Sequence, residues 1–347
     1  MSDITNQPSI QPDSIPAESL PLSRVSVVCC VEAGALEAMT VRMVASLRQF
    51  GGALSSAHVV AVTPRRGLPL SDETHNAFRR LDVEHLAFHA QETYAWNNFM
   101  NKPHALLAVD QRGDGRGDII CWLDSDILVT GPPLRLALRD AEFAACAPDK
   151  NVGTTGQDDE NDPFWHRVFA VLDMDPVTLP WVTTCVEQAT IRWYFNSGVF
   201  AFRQGSGFAQ AFLDDCRRLL DARFASLNSG IFFTDQIAMG LTAHRLGLSF
   251  DILPHAYNLA LGSKGMQPTA EQLKQALVLH YHDAMWPAQW PSTLSLLASH
   301  RPDVHDFLKP MGPLALNRPL PVRIAMKGLK LWREHKLSQH LALCRFV

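Results

Sequence analysis

The stretch Ile119-Ile120-Cys121-Trp122-Leu123-Asp124-Ser125-Asp126-Ile127-Leu128-Val129 decides how this chain is read. An apolar run long enough for one buried strand stops at two acids, and a second short apolar run follows. Asp124 and Asp126 are the only charges in the stretch. Two carboxylates at the C-terminal end of a buried strand repel each other. A divalent cation between them and a phosphate relieves that repulsion. Ligands of doubly wound sheets bind at the carboxyl ends of the strands, so this pair is the first candidate site. A second Asp-x-Asp, Asp173-Met174-Asp175, follows a helical stretch and no buried strand, and is set aside.

Upstream, Val25 to Val31 is almost continuously apolar, as in a parallel strand covered on both faces. A helix over Ala35 to Phe50 ends at Gly51-Gly52. Val59 to Val62 and Val83 to Phe88 read as strands, with a helix from Asp72 to Leu81 between them. This βαβα order predicts an α/β fold: a doubly wound, mostly parallel sheet with helices on both faces. Asn101 reads as a helix N-cap with Pro103 in the first turn. Lys102 then stands where the helix dipole disfavours a cation unless an anion is near.

Downstream, Phe143 to Pro148 reads as a strand and Phe164 to Leu172 as a helix. Lys150 to Pro163 between them is a polar loop long enough to serve as a lid. Phe195-Asn196-Ser197-Gly198-Val199 opens a strand with turn-forming residues, as where the backbone approaches a ligand closely. Gly207 to Phe224 is an amphipathic helix, and Thr234 reads as the N-cap of another. Asp235 complements that dipole and Gln236 is uncommitted. Leu248 to Leu253 is a strand, and the apolar run Ala276 to Leu279 ends in His280-Tyr281-His282. His280 therefore reaches the same sheet edge as the acids. A histidine beside carboxylates shifts the preference toward manganese or another first-row metal.

The chain of 347 residues, 47% hydrophobic and 19% charged, has the composition of a globular protein. A net charge of −4 gives no general attraction for nucleic acid. Seven cysteines without a C-x-x-C pair indicate a reduced, cytoplasmic protein with neither a disulfide framework nor a zinc site. Residues 1–22, rich in Ser, Pro and Gln, read as a disordered tail, and residues 23–301 as one domain. Residues 302–347 form a proline-broken segment followed by a basic amphipathic helix. Over Val322 to Val347, Arg323, Lys327, Lys330, Arg333, Lys336 and Arg345 stand against the single acid Glu334. Such a helix suits peripheral contact with the inner face of a membrane, or docking on the domain.

Leu123-Asp124-Ser125-Asp126, Phe195-Asn196-Ser197-Gly198-Val199, Thr234-Asp235-Gln236, His280-Tyr281-His282 and Trp286-Pro287, in this order, resemble the GT-A fold nucleotide-sugar glycosyltransferases, most of all glycosyltransferase family 8. The resemblance covers roughly Arg24 to Pro291. It implies a GT-A-like fold, a UDP- or GDP-sugar donor, and a glycan, lipid or protein acceptor. It also implies that Asp124, Asp126 and His280 hold Mn²⁺ or Mg²⁺ against the donor diphosphate. Asn196 and Asp235 would contact the transferred sugar, with Gln236 near the anomeric carbon and retention as the stereochemical outcome. Cys30, Val31 and Glu32 would line the nucleotide pocket, Ser125 would border the donor, and Lys102 would lie near the diphosphate or sugar.

The chain departs from the family pattern at Asp283, where the family has Gly, and at Met285-Trp286-Pro287, which lacks a phosphate-binding Lys. An acid followed by Tyr after the first strand is also absent, Glu32 being the nearest acid. Two alternatives stand beside this reading. One is a GT-A domain that binds nucleotide-sugar without turnover. The other is a haloacid dehalogenase-type phosphohydrolase, which needs a downstream Ser/Thr, Lys and acidic pair that the sequence does not supply. Trp181, Trp193, Trp286 and Trp290 are candidate stacking faces for an acceptor sugar.

Overall fold

A computed structural model describes residues 25–90, 93–113, 118–261, 267–316 and 318–347. The tail expected over residues 1–22 lies outside the described residues. Strand β1 (Val25–Cys30) leads into α1 (Ala35–Phe50), β2 (His58–Thr63), α2 (Asp72–Arg80) and β3 (Val83–Ala87). Helix α3 (Asn101–Asp110) precedes β4 (Ile119–Leu123) and β5 (Ile127–Val129), the two apolar runs on either side of the acids. Next come β6 (Phe143–Cys146), α4 (Asp162–Val171), β7 (Trp181–Thr183) and β8 (Thr190–Arg192). They are followed by β9 (Asn196–Arg203), α5 (Phe208–Asp221), β10 (Phe224–Ala225), α6 (Thr234–Arg245) and β11 (Phe250–Leu253). The chain closes with β12 (Leu259–Ala260), α7 (Ala270–Gln275), β13 (Val278–His280), α8 (Trp290–His300), α9 (Pro302–Leu308), α10 (Leu320–Leu341) and β14 (Arg345–Phe346).

The central sheet has seven strands in the order β11-β6-β9-β4-β1-β2-β3. Its pairings are parallel except those of β9, which runs against both β4 and β6. The expected mostly parallel α/β sheet is therefore present, with one reversed strand in its interior. Side chains alternate across a strand, and β1 follows that rule. Val25, Val27 and Cys29 pack with Met43, Val44 and Leu47 of α1, while Val28 and Cys30 pack with Ala105, Leu106 and Val109 of α3. Covering both faces explains why β1 is apolar at nearly every position. Each buried branched side chain contributes roughly 1.5–3 kcal/mol.

A smaller sheet, β12-β13-β5, sits beside the main one, with β13 antiparallel to β5 and His280 opposite Ile127. Its core continues past the boundary expected at residues 301 and 302. Val304, Leu308 and Leu314 are buried in the same cluster as Leu297 and Trp290. The last segment is docked on the domain. Met326 of α10 lies against Gly34, whose φ of +119° suits glycine and where a Cβ would collide with it. His340 is buried against Tyr94 and Trp96, and β14 pairs with β10.

Candidate active site

The reversed strand explains how distant segments meet. Parallel strands end at one edge of the sheet, and an antiparallel strand among them begins there. Asn196, Ser197 and Gly198, at the start of β9, therefore lie beside Asp124 at the end of β4, and Asp124 N donates to Gly198 O at 2.9 Å. The β5–β13 pairing delivers the third segment, with Tyr281 N donating to Asp126 O at 3.0 Å. The first turns of α3 and α6 add Lys102, Asp235 and Gln236. Together these residues line a cleft of about 630 Å³.

Asp126, His280 and His282 present ligand atoms that all lie within 4.8 Å of one another. His280 Nε2 is 3.2 Å from Asp126 Oδ1, and His282 Nδ1 is 3.9 Å from Asp126 Oδ2. The far nitrogen of His280, Nδ1, is 3.1 Å from Asn258 Oδ1. Donation to that amide oxygen orients the ring and directs Nε2 to the cluster, as is usual for metal-binding histidines. Burial would raise the Asp126 carboxyl, but the charge and hydrogen bond of His280 outweigh it and hold it at about 2. Burial would likewise depress His280, and Asp126 overrides this and raises it. His282 is held down at about 4, first by burial and then by His280. One carboxylate and two imidazoles suit a first-row divalent cation. Gly198 makes room for the cluster: a Cβ there would stand 2.8 Å from His280 Cε1 and 3.0 Å from Asn196 Oδ1.

Asp124 faces the other way. It accepts from Trp122 Nε1 at 2.7 Å and lies 3.4 Å from Lys102 Nζ, which is 2.8 Å from Asp235 Oδ2. Lys102 also donates to Ser197 O and Oγ at 2.8 Å. Burial would lower its ammonium, but Asp124 and Asp235 outweigh that and raise it. The Asp124 carboxyl is raised, by burial first and by Asp126 in the same sense, against the pull of Lys102. The anion that Lys102 requires at a helix start is thus supplied within the chain. Asn196 Oδ1 accepts from Gly198 N at 2.7 Å, and Gln236 Nε2 donates to the Tyr194 hydroxyl.

Several expectations need correction. Asn101 and Thr234 are not caps, since Met100 and Phe233 hold those positions. Asn101 instead donates to Glu32, and Thr234 Oγ1 donates to Ile231 O. Cys30 and Glu32 line the cleft, whereas the Val31 side chain is fully buried on the α1 face. Ser125 borders the cleft, but its hydroxyl donates to Cys30 O at 2.6 Å. Trp181, Trp193, Trp286 and Trp290 lie away from the cleft, whose aromatic lining is Trp122, Phe99, Phe232 and Phe233.

Sequence reasoning missed His282, two residues past His280, as a candidate ligand. It also missed Arg65 and Arg333, which flank Glu32. Their partners are too distant in sequence to leave a local signal.

No curated protein sequence matches the chain. Among solved structures it is similar to the bifunctional glycosyltransferase WbbM in its apo form, at 13% identity and a TM-score of 0.47, over 82% of this chain and 51% of that one. It is similar to the glycosyltransferase GlyE of Streptococcus pneumoniae TIGR4 at 13% identity and a TM-score of 0.45, over 86% of this chain and 66% of that one. It is also similar to the galactosyltransferase LgtC in complex with donor and acceptor sugar analogs, at 12% identity and a TM-score of 0.44, over 80% and 96% of the two chains. The chain thus spans about half the length of WbbM and 66% of GlyE. A family model of the Rhodobacterales glycosyltransferase domain matches residues 27–247, from β1 through α6 and short of His280 and α10. With well over half of its length matched, the chain belongs to the Rhodobacterales glycosyltransferase domain family.

Proposed function

We propose that this protein transfers a sugar from a nucleotide-diphosphate sugar, a UDP- or GDP-sugar, to a glycan, lipid or protein acceptor with the aid of Mn²⁺ or Mg²⁺. The observation that carries this reading is the convergence of Asp124, Asp126, Asn196, Asp235, Gln236 and His280 on one cleft at the carboxyl edge of the sheet. In this reading Asp126, His280 and His282 hold the ion, with Asp124 beside them, and the two imidazoles favour Mn²⁺ over Mg²⁺. Bound there, the ion would neutralise charge building on the departing nucleoside diphosphate.

The chain's own groups do the rest. Glu32 and Cys30 border the nucleotide, and Ser125 fixes the turn between the acids by its bond to Cys30 O. Lys102 keeps Asp124 and Asp235 in place and adds positive charge beside the diphosphate. Asn196 and Asp235 contact the sugar, Gln236 lies at the anomeric carbon, and the anomeric configuration is retained. Phe99 and Phe232, stacked edge to face at 4.7 Å on the cleft wall, offer the acceptor an apolar surface.

The test is Mn²⁺-dependent hydrolysis of a panel of UDP- and GDP-sugars by wild type and Asp126→Ala, with donor-induced thermal stabilisation in parallel. Hydrolysis of one donor, lost in the variant, supports the reading. Stabilisation without hydrolysis would identify a binding protein instead. If no donor is hydrolysed and none stabilises the fold, the transferase reading fails.

A further inference from the structure

A second hollow of about 700 Å³ lies between α10 and the segment joining β1 to α1. Its walls are apolar, with Ala33, Leu36, Leu68, Ile324, Met326 and Leu329. Two further lining residues, Leu316 and Leu320, are 47% and 66% exposed, and Ile324 itself is 63% exposed. Contiguous apolar surface of this kind marks a binding site.

The rim is cationic and only partly neutralised. Arg318 pairs with Glu37, Lys330 with Glu334 and Arg333 with Glu32. Among the described residues Arg323 and Lys327, which also line the groove, have no acidic partner. The groove adjoins the cleft: Glu32, Leu36, Asn98 and Arg333 line both. An elongated apolar chain lying in it would carry its head to the cleft past two free cations.

We propose that this groove binds the hydrocarbon chain of an anionic, lipid-linked acceptor whose phosphate-bearing head is met by Arg323 and Lys327. The acceptor role rests on the transferase reading above; the amphiphile site itself stands on the groove alone.

The full chain is titrated calorimetrically with dodecyl phosphate below its micellar concentration, with dodecyl maltoside as the neutral counterpart and with inorganic phosphate. Saturable binding of dodecyl phosphate at one site per chain is expected, roughly tenfold tighter than the maltoside, with no binding of phosphate alone. Ile324→Glu places a charge on the apolar wall and should weaken binding roughly tenfold at an unchanged melting temperature. Lys327→Glu should do the same by reversing a rim charge. Equal binding by wild type and both variants overturns the proposal. So does binding to anionic phospholipid vesicles without binding of the monomeric amphiphile, which would make α10 a membrane-surface contact only. UDP and GDP are titrated separately with Mn²⁺. Their failure with dodecyl phosphate binding intact sinks the transferase reading and leaves the groove, and the converse result sinks the groove alone.

Discussion

Arg333, on the last helix, donates from Nη1 to Oε2 of Glu32, 3.0 Å away, at the end of the first strand. The same carboxylate accepts from Arg65 Nη2 at 3.0 Å and from Asn101 Nδ2 at 2.8 Å. A segment outside the matched family domain thus reaches the wall of the cleft. Burial alone would raise the Glu32 carboxyl, but Arg65 and then Arg333 outweigh it and hold it below its ordinary value of 4.5. A depressed folded-state value means that the cluster stabilises the fold above pH 4.5 and that this is lost as pH falls through the folded value. Urea unfolding of wild type and Glu32→Gln should therefore differ most near neutrality. The difference should close on acidification below 4.5. A gap that does not narrow would show that the carboxylate charge contributes nothing there.

Lys102 makes a second, more deeply buried network. Its side chain and that of Asp235 are 8% and 5% exposed. Removing one member of a buried ion pair leaves an uncompensated charge and typically costs about 3–5 kcal/mol. Lys102→Ala should show a loss of that order in denaturant unfolding. The double variant Lys102→Ala, Asp235→Asn should lose less than the sum of the single changes, because the second removes the charge that the first strands. Strict additivity would mean that the two groups are not coupled.

What could be read from the sequence follows from the range of the forces involved. The apolar rhythm of α1 is local, and its bounds, Ala35 and Phe50, are those the pattern predicts. Asp124 and Asp126 were legible because two charges interrupt a buried run. The caps were misread because capping chemistry is also general polar chemistry. Asn101 spends its amide on Glu32, and Asp235 spends its carboxylate on Lys102 rather than on the helix terminus alone. The reversal of β9 has no local signature either, since its apolar content serves a parallel or an antiparallel neighbour equally. It is nevertheless what brings Asn196 to the acids.

At Gly198 the backbone runs close against the candidate metal cluster. A methyl group there would press on His280 Cε1 and Nδ1 and on Asn196 Oδ1, at 2.8, 3.0 and 3.0 Å. The imidazole is buried and its Nδ1 faces Asn258, so it has little room to yield. Gly198→Ala should therefore displace His280 and weaken Mn²⁺ binding by roughly 10–100-fold, the usual effect of disturbing a ligand's supporting contacts. Calorimetric titration with Mn²⁺ reads this directly, with His282→Ala as the comparison that removes a ligand. Wild-type affinity in both variants would place the ion elsewhere.

The loop from Lys150 to Asn161, two residues shorter than expected because α4 starts at Asp162, brings Lys150 and Val152 to the cleft, and Asp159 sets its shape. Asp159 accepts from Asn151 Nδ2, Thr155 N, Thr155 Oγ1 and Asn161 N at 2.7–3.0 Å. These bonds fold the loop on itself, independently of the Asp126, His280 and His282 cluster. If the loop covers a bound donor, its order matters for the rate at which the closed state forms and releases product, but not for the ion. Asp159→Ala removes four acceptor contacts at once and frees the loop while leaving the metal cluster untouched. Turnover should fall by roughly tenfold or more, with Mn²⁺ affinity within about twofold of wild type. A parallel fall in both would mean that the loop supports the site as a rigid wall, and unchanged turnover would remove it from the mechanism.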